Sequence, residues 1–324
     1  SHTSNGGDAV SIRGGTTGNI TVSGTIANTT GGRAIDINTV TGGTVSFTGA
    51  TITDTIGIQI ANVAAGANVA FSAGTTVTLN SPANTGINLS DNVGAIAFNG
   101  AVDINNAGAG GIALVNANAN VSFGQVDIEM AAGAANADAI SIAGTPGTVT
   151  FGVTTITNVG AAAGQKGIDF STATLGGTVS FQSVAISGPD TSTSSIGVDL
   201  TGVLGNQIVN LGSQIDPAGG PSSSITDLHR GVVIDNTAAV QFTFGDGESG
   251  SDTGSSINVN GQAGAFTVDV GGGTLAASSF DFNDVMFGAG DSANLPGAAG
   301  SAVFVSQTGG VIAAGTHGLN VSTG

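Results

Sequence analysis

The chain has 324 residues, of which 40% are hydrophobic and 56 are glycine, with no cysteine, tryptophan or tyrosine. Four basic residues (Arg13, Arg33, Lys166 and Arg230) stand against twenty-one acidic ones, a net charge of −17. That balance excludes a nucleic-acid binder, since phosphate contacts need Lys and Arg to displace counterions, and the apolar content excludes a disordered chain.

No apolar run nears the ~20 residues that cross a bilayer, so direct membrane insertion by a helix is not expected. Without cysteine, no disulfide staples the fold. The first residue is Ser1 rather than Met, as in a processed chain or an excerpt of a longer one.

The chain repeats one short sentence. Its first element is a run with branched residues at alternate positions: Val10 and Ile12, Ile35 and Ile37, Ile58 and Ile60, Ile87 and Leu89. It continues with Ile112 and Leu114, Ile140 and Ile142, Ile168 and Phe170, Val198 and Leu200, and Val232 and Ile234, usually after Gly or Ala. Alternation at period two marks a strand with one buried face. The period between copies grows from about 25 to just over 30 residues, which implies a solenoid.

A second strand ends each time at one position, in Val22, Phe47, Phe71, Phe98, Phe123, Phe151, Phe181 and Leu211. If the copies stack as coils, the six phenylalanines form an internal ladder with a spacing of about 4.8 Å. A third strand is carried by Ile26, Ile52, Val77/Leu79, Val102/Ile104, Val126/Ile128, Ile156, Ala185/Ile186 and Ile215. On that register the corner between second and third strands is tight, and the connection back to the first strand takes the insertions. No segment keeps a helical apolar period.

Residues 1–234 therefore read as regular coils, and 235–324 as a continuation with irregular coils and long loops. The expected fold is all-β: a right-handed parallel β-helix with three short strands per coil and roughly ten or more coils, on the order of 50 Å long. Neither terminus offers a capping helix. The coil edges are therefore expected to be satisfied by another copy, end to end, or by flanking repeats.

The Gly-Ile-x-Ile, Gly-Thr-Val-x-Phe, x-x-Ile cycle resembles the Gly/Thr/Asn-rich β-strand-repeat proteins that bacteria secrete to their surfaces as adhesins, autotransporter passengers or sheath components. The resemblance implies an extracellular or cell-surface structural rod that adheres or forms filaments, with a surface glycan as one kind of partner and no chemistry of its own.

Three constellations bear on chemistry. The outward residue between the branched pair runs Ser11, Asp36, Gln59, Asn88, Ala113, Ser141, Asp169, Asp199, Val233. Asp169 and Asp199 are thus expected roughly 5 Å apart on neighbouring coils, the like-charge arrangement that separates a general acid from a base. His229 and Arg230 border the same face. Polysaccharide-cleaving β-helix enzymes resemble this layout, but the adjacent Asp-Asp pair and the aromatic sugar platforms are missing. A hydrolase or lyase using Asp169, Asp199, His229 and Arg230 is the alternative function.

Calcium is the candidate ion. Asp246, Glu248 and Asp252, and then Asp281, Asp284 and Asp291, cluster on Gly-rich stretches that supply oxygen ligands, without matching a known loop motif. Thr-x-Thr pairs at Thr51, Thr76 and Thr155 suggest an ice-matching face, but Asp103 and Asp127 interrupt the same strand.

Overall fold

The structure is a computed structural model that describes residues 2–118, 120–145, 147–170, 177–189, 194–203, 206–212, 223–235, 239–244, 255–259, 266–269, 279–282, 285–289 and 303–306. Side-chain surroundings are described as far as Phe244. Among these residues there are strands and turns but no helix.

Every strand pairing is parallel, and each strand pairs with its counterpart in the next copy of the repeat, so the chain winds into a β-solenoid. One sheet stacks eleven strands in chain order, from Val10–Thr16 through Ile112–Val115, Asp138–Ala143, Lys166–Asp169, Ile196–Asp199 and Arg230–Asp235 to Val303–Ser306. The second and third strands of the repeat share the other sheet. In several turns they are one continuous strand, as in Thr44–Asp54, Thr148–Thr157 and Thr178–Ser187, rather than the two separate strands the sequence suggests. The bend lies within the strand, where Gly49 of the first takes a left-handed φ of 58°.

The predicted columns hold. Val22, Phe47, Phe71, Phe98, Phe123, Phe151, Phe181 and Leu211 follow one another in register. The six phenylalanine rings stack with centroids 4.2–4.9 Å apart and planes within 8° of parallel. Each ring is at most 4% exposed, and burial of this kind contributes roughly 1.5–3 kcal/mol per side chain. Columns of Ile and Val line the remaining walls of the core.

The glycine of the Gly-Ile-x-Ile motif has a packing reason. A Cβ on Gly111 would lie 2.5 Å from the Ala139 carbonyl oxygen and 3.0 Å from Ile128 Cδ1. One on Gly167 would lie 2.6 Å from the Gly197 carbonyl oxygen and 2.8 Å from Ile186 Cγ2. The bare backbone lets the third strand's isoleucine fill the corner beneath the first strand.

That same corner corrects one expectation. Below Ile186 the column is continued by Ile225, in the strand Ser224–Thr226, and not by Ile215, which lies outside the described residues. Ile225 is fully buried and packs beneath Gly197, as Ile186 does beneath Gly167. Leu211 and Ile225 are therefore fourteen positions apart and Ile225 and Val232 seven, so in this turn the insertion falls at the corner expected to be tight. A Cβ on Gly197 would meet Ile225 Cγ2 at 2.7 Å and Leu228 Cδ1 at 3.2 Å, so these two side chains fill the corner together.

In the first turns the corner is polar. Asn28 donates through Nδ2 to the carbonyls of Gly7 and Arg33, at 3.0 and 3.1 Å. Asp54, 2% exposed, accepts from the backbone N–H groups of Ala34, Thr55 and Gly57 at 2.7–2.9 Å. Outside the core, amides join neighbouring turns, as in Asn62 to Asn38, Asn88 to Gln59 and Asn105 to Asn80.

Candidate functional site

Among the described residues, the first-strand sheet carries the ion-paired charges. Its outward column runs in the predicted register, Ser141 beside Asp169 and Asp169 beside Asp199, with Val233 beyond. The two carboxylates are on neighbouring turns, as expected. They are not open to solvent, being 7% and 4% exposed.

They are also not a bare like-charge pair. Lys166 Nζ lies 3.0 Å from Asp169 Oδ1 and 2.7 Å from Asp199 Oδ2, tying the two turns together. Burial works to lower the Lys166 pKa, but the hydrogen bonds and charges of Asp199 and Asp169 outweigh it, and the ammonium form is favoured beyond its ordinary range.

A third carboxyl belongs to the cluster. Asp138 pairs in register with Lys166 on the preceding turn and hydrogen-bonds to Asp169. Burial, and then the negative charge of Asp169, push its pKa up to about 7, with Lys166 pulling the other way. Sequence reasoning followed only the column between the branched residues. Asp138, Lys166, Ile196 and Arg230 form another outward column, three residues earlier in each strand, and the same alignment contains it.

His229 and Arg230 lie on the turn beyond. Arg230 shares the column of Lys166 with Ile196 between them, so it extends the charged face rather than completing the cluster. The His229 backbone N–H donates to Ser195 Oγ at 3.1 Å, and its ring Nδ1 is buried with no hydrogen-bond partner. Burial, with the charge of Arg230, lowers the His229 pKa.

A second charged patch lies on the same sheet at the first turns. Arg13 pairs with Asp36, and with Asp8 at 3.3 Å. Burial raises the Asp36 pKa, with Arg13 and Arg33 opposing.

The expected calcium ligands fall elsewhere. Asp246, Glu248, Asp252, Asp284 and Asp291 lie outside the described residues, and Asp281 is described only as part of the strand Ser279–Phe282. Among the described residues no group of three or more acidic, His or Cys side chains is arranged to hold a metal ion. On the third-strand face, Thr53, Thr78, Asp103, Asp127 and Thr155 form one column, so the aspartates do interrupt the threonine array.

Compared with known protein families, curated proteins and solved structures, the chain matches none. Its class rests on its own geometry: it is a parallel β-solenoid repeat protein.

Proposed function

We propose that this protein is an extracellular structural or adhesive rod that assembles end to end with further repeats or further copies of itself. The observation that carries this reading is the unbroken register of its columns. Each turn presents the next with a full row of backbone N–H and C=O groups and a matching set of Ile, Val and Phe side chains, so additional turns join by the same geometry. The winding is right-handed, the hand that twisted strands impose on nearly all parallel crossovers. Each turn is built from three strand positions. The outward faces carry small polar side chains joined between turns, and Asp169 and Asp199 are ion-paired by Lys166, which suits a scaffold better than a reacting centre.

Electron microscopy of the purified protein, with light scattering over a range of concentrations, tests this. Elongated particles that lengthen with concentration are expected. Compact particles of fixed mass at every concentration would overturn end-to-end assembly.

A second reading is favoured by one observation, the half-buried Asp138 carboxyl that sits beside Asp169 and is pushed up to about 7 by burial and its neighbour's charge. Such a pairing suits cleavage of a surface polysaccharide by acid–base chemistry on the Asp169/Asp199 face. A polysaccharide panel is expected to give no new reducing or unsaturated ends. Reproducible cleavage, lost in Asp169→Asn or Asp199→Asn, would replace the structural reading with the enzymatic one. Calcium is proposed for the acidic stretches around Asp246–Asp252 and Asp281–Asp291. If it binds there, millimolar chelator lowers the melting temperature by linkage, and an unchanged melting curve removes the ion from the account.

A further inference from the structure

The cluster on the first-strand sheet spans three consecutive turns. Asp138 comes from the strand Asp138–Ala143, Lys166 and Asp169 from Lys166–Asp169, and Asp199 from Ile196–Asp199. Lys166 bonds to carboxylates on its own turn and on the next, while Asp138 reaches Asp169 from the turn before. Three acids share a single ammonium group. With all three ionised, a shielded site where Asp169 and Asp199 are 7% and 4% exposed would hold two uncompensated negative charges, and carboxylates one turn apart cannot all remain ionised cheaply.

We propose that Asp138, Lys166, Asp169 and Asp199 form a proton-operated clamp that holds these three turns together more firmly in mild acid than in mild alkali. When Asp138 carries the proton, it donates a hydrogen bond to Asp169, and Lys166 balances the two remaining carboxylates more closely. When the proton leaves, Asp138 and Asp169 become facing anions and the seam between their turns weakens.

Among the described residues, the neighbouring strands bring these charged groups to the cluster. The strand before Asp138, Ile112–Val115, brings no titratable side chain. The strand after it brings Lys166 and Asp169, and the next brings Asp199. Arg230 stands further along the same column, beyond Ile196. On the neighbouring sheet, Asp127 and Glu129 of Val126–Met130 line a separate face with Asp103, so they add no cation.

The direction in pH follows from linkage. Burial and Asp169 raise the folded carboxyl to about 7 from the ordinary 3.8, so the folded state holds the proton better than the unfolded chain does. The associated stability is complete below the ordinary aspartate range and is lost as pH rises through about 7.

Amide hydrogen exchange resolved by peptide, on the whole chain at about pH 5.5 and about pH 8 and corrected for intrinsic rates, tests the clamp. Opening of Asp138–Ala143, Lys166–Asp169 and Ile196–Asp199 is expected to rise on the order of tenfold at the higher pH, while Ile58–Val63 stays unchanged. Asp138→Asn keeps a neutral donor toward Asp169 and is expected to flatten the response. Asp138→Ser serves if the asparagine variant does not fold. A flat response in the wild type, an equal change in Ile58–Val63, or a response that survives in the folded variant would each overturn the proposal.

Discussion

The first-strand sheet carries two charged patches, and they differ in how their charges balance. Near the first turns, Asp8 and Asp36 have two arginines within electrostatic reach, Arg13 and Arg33. Several turns on, Lys166 is ion-paired with Asp169 and Asp199, and Asp138 adds a third carboxyl beside them. The cations also sit differently: the Arg13 side chain is 60% exposed and that of Lys166 22%. Both patches join successive turns, but the second sets three carboxyls against one ammonium, and burial and the charge of Asp169 push its Asp138 carboxyl up to about 7. In so acidic a chain, the stoichiometry of a patch decides its chemistry more than the presence of an ion pair does.

The phenylalanine ladder sets the scale for testing that difference, because it spans the turns between the patches and carries no charge. Phe98→Ala is expected to cost about 3–5 kcal/mol by denaturant unfolding, equally at acid and neutral pH, with Phe123→Ala similar. A loss that varied strongly with pH would mean that core and charge are coupled. Unfolding midpoints that barely move would deny that the rings are internal.

The next effect in size separates the patches directly. Lys166→Met leaves three shielded carboxylates with no cation in contact, and about 2–4 kcal/mol is expected to be lost. Arg13→Met removes an exposed partner whose attraction water screens, and less than about 1 kcal/mol is expected. Equal losses would show that exposure and stoichiometry do not distinguish the two sites.

The smallest effect lies at the edge of the second patch. Burial and Arg230 lower the His229 pKa, so the folded protein prefers the neutral ring. That preference stabilises the fold above the ordinary histidine range and is lost as pH falls through the depressed value, opposite in sign to Asp138. His229→Gln is expected to flatten the acid side of the stability profile and leave the alkaline side unchanged. A change on the alkaline side instead would mean that His229 belongs to the clamp.

Much of this architecture is legible in the sequence because a solenoid repeats its side-chain alternation at each turn. The register of Ile112 against Ile140, or of Phe98 against Phe123, follows from alignment alone. Alternation assigns a residue to one side of a sheet, but it is silent about what covers that side. Asp169 and Asp199 are outward in register and yet shielded, and the covering lysine lies one column away. The pattern points to Ile215, whereas Ile225 holds the place, packing with Leu228 against Gly197 of the first strand. The polar corner of Asn28 and Asp54 also escapes a pattern of apolar residues, because its side chains bond to backbone rather than to one another.

The parallel ladders have a mechanical consequence. Backbone hydrogen bonds between turns point along the axis of winding, so a pull on the two ends loads the seams in series rather than in shear. Each seam bears the whole tension, and the weakest opens first. Its release frees one turn of chain, such as the 28 residues from Ile112 to Ile140, or roughly 90 Å of slack when extended. Under load, release is turn by turn, and each step lengthens the chain by about one turn of the winding.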